Sequence, residues 1–229
     1  MKKVLHTGFK DFDNIVNADG GKGKLISVAS RPLVGKTALI LDIVKNIVVK
    51  DEKEVLIFSF EMTKSQVDRL LDKKLLPLYA KDFIHIEYNG EADINFIESR
   101  ISKYNNLGLV VIDYIDLIGH EDLSTIVYKL KNICKKNNIH IIFAQQLLKI
   151  VDARVDKRPR LSDLYNYRLR GANMDNLDAV FGLYRQSRFE NEKEYEKTDL
   201  AELLLLKNKY GKLKKTYLTF NKRKISFKS

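Results

Sequence analysis

Residues 25–38 read LISVASRPLVGKTA, and the rest of the chain is interpreted outward from them. A short β-branched run leads into a tight loop, and Gly-Lys-Thr at 35–37 opens a stretch whose apolar residues have helical spacing. This order of strand, loop and helix is typical of a phosphate-binding loop. Backbone N–H groups and the positive end of the helix dipole face the phosphates in such a loop. The first glycine of the usual G-x-x-x-x-G-K-[ST] pattern is replaced by Ser30.

Two side chains of this loop have predicted chemical roles. Lys36 supplies a point charge for the β- and γ-phosphates of a nucleotide, and the Thr37 hydroxyl can ligate Mg²⁺. The sequence therefore predicts ATP or a similar nucleotide as ligand, together with Mg²⁺.

The composition indicates one domain with a polyanionic partner. The chain has 229 residues, 45% of them hydrophobic, and only three prolines, so it can bury one sizeable core. We therefore predict that residues 1–229 form one domain, with 1–24 as a lead-in. The formal net charge is +11, and residues 207–229 contain nine Lys or Arg and no acid. This charge favours a polyanionic partner, although a solvated lysine-rich surface is the alternative.

The single cysteine and the absence of long apolar runs bear on location. Cys134 cannot form a disulfide within the chain, which is consistent with a reducing compartment, and we expect a buried thiol there. No apolar core of a signal peptide is present at the N-terminus, and no run approaches the ~18 residues that span a bilayer. A cytoplasmic protein is predicted, with no membrane partner.

The alternation of apolar runs predicts an α/β fold with a mainly parallel sheet flanked by helices and antiparallel strands at its C-terminal edge. A short helix is predicted before the first strand, and a segment of weak pattern at 147–178 is long enough to be suspected of function. Beyond the loop, the predicted strands are 54–60, 83–87, 109–112, 139–144, 179–184, 201–206, 213–220 and 224–227, and the predicted helices are the one capped by Thr63, 94–104 and 123–137.

Four successive apolar runs end in candidate active-site groups: the Lys36 loop, Glu61, Asp113 and Gln146. Ligands of such sheets bind beyond the carboxyl ends of the strands, so we expect these groups to meet. Asp113 is typical of a Walker B carboxylate that holds Mg²⁺ through Thr37 or water. Glu61 is suited to orient the attacking water or take its proton, and Gln146 could sense the γ-phosphate. The alternative is that both are ordinary polar residues after a strand.

Longer motifs resemble the C-terminal motor domain of DnaB-type replicative DNA helicases, which has a RecA-like fold. The Arg-Pro inside the phosphate loop and the Lys-Arg-Pro…Ser-Asp-Leu segment are much more specific than Gly-Lys-Thr alone. The family's phosphate loop also commonly lacks the glycine that Ser30 replaces. The matching segments are TGFKDFD at 7–13, SRPLVGKTA at 30–38, FSFEM at 58–62, VIDY at 111–114, DKRPRLSDL at 156–164 and LYR at 183–185.

The resemblance implies an ATP-driven DNA helicase that forms a ring, expected to be hexameric, and moves on single-stranded DNA. By position, it implies that Lys36 and Thr37 contact phosphate and Mg²⁺, Glu61 is the catalytic base, Asp113 the Walker B acid and Gln146 the γ-phosphate sensor. The nucleotide site that it implies also includes Ser30, Arg31, Pro32, Val34, Gly35, Ala38 and Arg185.

The chain departs from the family in the residues that act on the neighbouring subunit. The family supplies a lysine and an arginine finger from a Lys-x-Arg-x-Gly stretch, whereas residues 207–211 read KNKYG. Lys207 matches, but Lys209 occupies the finger position. An ammonium is only a point charge and cannot contact two phosphate oxygens as a guanidinium does, so we expect slow or differently regulated hydrolysis.

The predicted DNA loop also differs. The family usually has Arg-Glu-Ser-Gly after Ser-Asp-Leu, whereas residues 165–171 read YNYRLRG. Arg168 and Arg170 are predicted to contact DNA phosphates, with Gly171 in the same loop, and Tyr165 or Tyr167 to stack on a base. A solvated loop is the alternative.

Further partners follow from the resemblance alone. We expect a homo-oligomer in a bacterial or phage-infected cell, with a helicase loader or primase as further partners. The family's N-terminal helical domain, which binds primase, and most of its linker are not found in the sequence. Two alternatives therefore stay open: a weakly active or inactive paralogue that binds nucleotide and assembles with or regulates another helicase, and a RecA-like recombination or clock-type ATPase.

Overall fold

The computed structural model describes residues 4–88, 92–119, 121–164, 174–189 and 200–229. Within these residues one sheet has the strand order β3-β2-β4-β5-β1-β6-β7-β8-β9. The strands are β1 Leu25–Ser30, β2 Glu54–Ser59, β3 Ile84–Glu87, β4 Leu107–Asp113, β5 His140–Gln146, β6 Ala179–Tyr184, β7 Leu200–Asn208, β8 Lys214–Asn221 and β9 Ser226–Lys228. The helices are α1 Lys10–Val16, α2 Lys36–Asp51, α3 Lys64–Lys73, α4 Ile94–Ile101 and α5 Leu123–Asn137.

Strands β1 to β6 run parallel, and β6 to β9 pair antiparallel. The predicted fold class is therefore confirmed. Parallel strands need crossover helices, which cover both faces of the sheet, and this is why the central strands are nearly continuous apolar runs. Every residue of β1 and of β4 is buried.

The core has two layers, one on each face of the sheet. The pleat of β1 shows the division, since Ile26 and Val28 pack in one layer while Leu25 and Ala29 pack in the other. Helices α1, α2 and α3 contribute to the first layer, and α4 and α5 to the second. Cys134 of α5 is fully buried, and burial raises the pKa of its thiol, so the prediction of a buried thiol is confirmed.

Local sequence signals explain where several elements begin. Helix α3 starts after Thr63, as predicted, and the Gln66 side chain accepts from the Thr63 amide at 2.8 Å. Asp122 caps α5 by accepting from the amides of Ser124 and Thr125.

The last strand differs from its prediction over 224–227, because β9 begins at Ser226. The preceding residues are used by the turn between β8 and β9. Ile225 has a φ of 48°, and the Lys224 amide donates to the Asn221 side chain at 2.9 Å. A left-handed residue reverses the chain and cannot continue a strand.

Candidate nucleotide-binding site

The phosphate loop joins the end of β1 to the start of α2, at the carboxyl edge of the parallel strands. Gly35 is the N-cap of α2 and has a φ of 115°, which favours glycine. A Cβ at Gly35 would also lie 2.9 Å from the Phe227 ring of β9. The loop leads into the first turn of α2, a helix of 16 residues. The N–H groups of that turn and the helix dipole are oriented to bind an anion.

Lys36 and Thr37 stand at the first two positions of α2. Lys36 is only 9% exposed, and its Nζ lies 5.8 Å from the centroid of the Tyr114 ring. In the part of the chain that the structure describes, this ammonium forms no salt bridge with an acid. A buried cation without a protein counter-charge is suited to an anionic ligand.

Asp113 ends β4 and meets the loop from the neighbouring part of the sheet. The Thr37 hydroxyl donates to its Oδ2 at 2.7 Å. Asp113 is 5% exposed, and its Oδ1 is buried without a hydrogen-bond partner among the described residues. An orphaned carboxylate oxygen beside a hydroxyl is a donor set for a hard cation such as Mg²⁺. The described residues contain no group of three or more His, Cys, Asp or Glu that could hold a metal, so the remaining ligands would be water and phosphate.

Glu61 follows β2 at the same edge. Ser59 lies opposite Asp113 in the ladder, and the Phe60 amide donates to the Asp113 carbonyl at 2.9 Å. This pairing brings the next residue, Glu61, beside the end of β4 with an exposed side chain. Burial raises the pKa of the Tyr114 phenol, and the charge of Glu61 raises it further. The Glu61 carboxylate is therefore close enough to interact electrostatically with Tyr114, the residue that follows Asp113.

Gln146 reaches this edge from the other side of the loop. It lies opposite Ser30 in the β1–β5 ladder, and its side chain is exposed, whereas that of Gln145 is buried. The Leu147 amide donates to the Ser30 carbonyl at 3.0 Å, which continues the pairing past the strand end. The four strand ends predicted to meet are thus all at one edge.

The other loop residues contribute in different ways. Val34 and Ala38 are buried in the core, so they shape the loop by packing, while Pro32 is exposed. The Ser30 hydroxyl donates to the Arg31 carbonyl at 2.9 Å. Of Val34 and Ala38, only the backbone groups are in a position to face a ligand.

Arg31 is committed to protein groups. Its guanidinium makes a bidentate pair with Asp152 at 2.9 and 2.7 Å and donates to the Leu147 carbonyl at 2.6 Å. The Arg31 hydrogen bond holds the pKa of Asp152 below its usual value. Arg31 therefore anchors the phosphate loop to the segment after β5, and a direct phosphate contact by Arg31 stays a prediction. Sequence reasoning did not select Asp152, because its partner is 121 residues away.

Arg185, just after β6, stacks on the Phe220 ring with its Cζ 4.0 Å from the ring centroid. Phe220 in turn packs against Phe227 with ring centroids 4.8 Å apart, and Phe227 covers Gly35. This aromatic pair was missed from the sequence, although the alternation of apolar residues in β8 indicates one inward face.

Lys207 and Lys209 lie at the opposite edge of the sheet. Lys207 pairs with Val180 near the start of β6, and the Lys209 amide donates to the Asp178 carbonyl at 2.9 Å. Asp178 is level with Leu25, five residues or roughly 17 Å along β1 from Ser30, whereas Val180 is in register with Ser27, three residues or roughly 10 Å from Ser30. Both ammonium groups donate to backbone carbonyls, of Met174 and Asp175 respectively. Both ammonium groups are therefore held at the edge of the sheet away from the phosphate loop of their own chain. Arg168, Arg170 and Gly171, like Tyr165 and Tyr167, lie outside the described residues.

A parallel sheet with a phosphate loop after its first strand, a carboxylate at the end of β4 two strands away and an antiparallel extension defines a RecA-like P-loop nucleoside triphosphatase fold. Comparison with known proteins specifies the family. The family described as DnaB-like helicase C terminal domain matches residues 4–76 and 74–229, and this chain belongs to it.

Individual relatives agree with this assignment. The chain is 33% identical to the probable replicative DNA helicase of Trieres chinensis and 30% identical to replicative DNA helicase DnaC of Bacillus subtilis. Each alignment covers 97% of this chain but 56% of the relative, so the chain spans little more than half the length of these proteins.

Two solved structures share the fold. One, described as an ATPase domain, superimposes with a TM-score of 0.82 at 24% identity, over 98% of this chain and 90% of that one. A DnaB-like replicative helicase described with its interactions with primase superimposes with a TM-score of 0.81 at 24% identity, over 98% of this chain and 61% of that one. Within the described residues, no helix is long and apolar enough to cross a membrane.

Proposed function

We propose that this chain is the ATP-hydrolysing motor of a DnaB-like DNA helicase, which uses Mg²⁺, grips single-stranded DNA and works as a ring. The observation that carries the proposal is the Thr37–Asp113 contact of 2.7 Å, beside an Asp113 oxygen and a buried Lys36 that have no hydrogen-bond partner and no acidic partner, respectively, among the described residues. This is a loop-and-carboxylate arrangement ready for a metal-bound triphosphate.

Each side chain has a distinct role in this proposal. Lys36 and the first turn of α2 bind the phosphate charge, while Thr37 and Asp113 hold the metal. Glu61 orients water and accepts its proton, and Gln146 contacts the terminal phosphate. Bound Mg²⁺ supplies positive charge that offsets the charge developing on the phosphate oxygens.

The ring is supported by the position of the finger candidates. Since the ammonium groups of Lys207 and Lys209 are held away from their own phosphate loop, their proposed partner is a nucleotide bound to another subunit. We propose a homo-oligomer, hexameric by family resemblance, in which each site is completed by its neighbour. A primase as further partner belongs to the same proposal, supported by the DnaB-like replicative helicase described with its interactions with primase. A helicase loader and a cytoplasmic site of action are proposed by family resemblance.

ATP turnover with and without single-stranded DNA, at two protein concentrations, tests this function. We expect turnover per subunit to rise with DNA and with protein concentration, because assembly completes the sites. Glu61→Gln should remove the DNA-dependent turnover while nucleotide binding persists, since the amide is isosteric but cannot accept the proton. Glu98→Gln, half-exposed on α4, is the matched control and should behave as wild type.

Two outcomes would contradict the proposal. Turnover that changes with neither single-stranded DNA nor protein concentration would exclude the motor function. Nucleotide binding without any turnover would instead support the weakly active paralogue that assembles with another helicase.

The predicted DNA loop allows a separate test by salt titration. Replacing both Arg168 and Arg170 with alanine should weaken single-stranded DNA binding and flatten its salt dependence by about 1.4 log units per log unit of salt, at ~0.7 for each lost phosphate contact. The double substitution Lys135→Ala and Lys136→Ala, at the exposed end of α5, removes the same charge and should leave the slope unchanged. Equal slopes for the two double variants would show that the loop does not bind phosphates.

A further inference from the structure

A buried charged cluster lies beneath the end of β7, with Lys207, and the β7–β8 turn, with Lys209, and the nucleotide-binding site described above does not use it. Asp178 is 2% exposed and stands immediately before β6. Its Oδ2 accepts from Lys131 Nζ of α5 at 2.5 Å and from the Leu25 amide at 2.7 Å. Its Oδ1 accepts from the Tyr210 hydroxyl at 2.9 Å. One carboxylate thus joins α5, the start of β1 and the β7–β8 turn.

The backbone of Asp178 strengthens the same junction. Its amide donates to the Leu25 carbonyl at 2.9 Å, and its carbonyl accepts from the Lys209 amide at 2.9 Å. Lys209 is therefore held through its own backbone and through its neighbour Tyr210. Both sets of contacts are centred on one residue, so the orientation of the turn depends on Asp178.

The negative charge of Asp178 makes the turn depend on this residue more strongly. Lys24 is 1% exposed, with its Nζ 4.4 Å from the centroid of the Tyr210 ring. Burial lowers the pKa of Lys24 and of Lys209, and the charge of Asp178 opposes both shifts. Burial also raises the pKa of the Tyr210 phenol, and its bond to Asp178 raises it further, so Tyr210 stays a donor. Without the carboxylate, Lys24, Lys131 and Lys209 would repel one another across a small volume.

We propose that Asp178 is a positioning residue for hydrolysis in the neighbouring subunit. Through Tyr210 and the Lys209 amide it holds the end of β7, which carries Lys207, and the β7–β8 turn, which carries Lys209. This inference rests on the proposed function, and it adds that the finger is controlled by a residue that touches neither nucleotide nor DNA. If Asp178 had only a structural role, its loss would lower folding stability. It would not produce a turnover defect that belongs to one particular side of a subunit interface.

Tyr210→Phe is the mildest test, since it keeps the ring beneath Lys24 and removes only the bond to Asp178. We expect kcat for ATP in the assembled protein to fall about tenfold, equivalent to ~1.4 kcal/mol, with KM for ATP unchanged. Asp178→Asn should show a larger fall of the same kind. Tyr128→Phe, half-exposed on α5, is the control and should keep the wild-type kcat.

Mixed assemblies reveal on which side of the interface the defect lies. A Lys36→Ala subunit has a disabled phosphate loop but an intact turn, so mixing it with Asp178→Asn should restore turnover above that of either variant alone. Unchanged kcat in Tyr210→Phe, or no restoration on mixing when each variant assembles, would overturn the inference. If Asp178→Asn fails to fold, mixing Lys36→Ala with Tyr210→Phe provides the same test of the inference. Wild-type protein that never hydrolyses ATP would overturn the proposed function itself, and this inference with it.

Discussion

Replacing Lys36 with alanine is expected to weaken ATP binding by roughly 10- to 100-fold, the equivalent of one hydrogen bond to a charged group at ~1.5–3 kcal/mol. Turnover should fall further, by about 10²–10³, because a preorganised charge at the reacting phosphate is lost. Titration of a fluorescent nucleotide and steady-state hydrolysis measure the two effects separately.

The buried position of Lys36 leads to a second prediction, which concerns the stability of the protein without nucleotide. The ammonium is 9% exposed without an acid partner in the described part of the chain, so its removal should not destabilise the protein without nucleotide. Thermal unfolding of Lys36→Ala should therefore occur at or above the wild-type temperature when nucleotide is absent. Lys50→Ala, at the exposed end of the same helix, controls for loss of charge. Retained nucleotide affinity in Lys36→Ala would exclude this loop as the binding site.

Lys209→Arg is expected to raise turnover at least tenfold in the assembled protein. A guanidinium offers two parallel donors to phosphate oxygens, and an arginine finger contributes about 10³–10⁵ in rate where it occurs. The gain should appear only in the assembly, because Lys209 lies roughly 17 Å from its own phosphate loop.

The experiment therefore compares turnover at a concentration that gives rings with turnover at one that gives single subunits. Lys212→Arg, an exposed substitution in the same β7–β8 turn, should change neither value. If Lys209→Arg has the same turnover as wild type at both concentrations, Lys209 does not occupy the finger position. A gain in single subunits would contradict the assignment to a neighbouring site.

Much of the site was predictable because its signals are local in sequence. The pattern of a strand, a tight loop and Gly-Lys-Thr identifies the phosphate loop from fourteen consecutive residues. Glu61, Asp113 and Gln146 each follow an apolar run, and parallel strands bring such ends to one edge of a sheet. The structure places these strand ends at one edge of the sheet, whereas the assembly of the groups into one site and their individual roles stay predictions.

Local patterns in the amino-acid sequence were enough to specify the fold class, the phosphate loop and the carboxyl-edge residues, since apolar periodicity and loop chemistry act over a few neighbouring residues. The partners of several key side chains, in contrast, depend on long-range packing. Arg31 proved to be held by Asp152, Phe227 to cover Gly35, and Asp178 to support the Lys209 turn. These contacts join residues that are about 30 to 190 positions apart, and the packing of helices on a twisted sheet, which no local pattern encodes, brings them together.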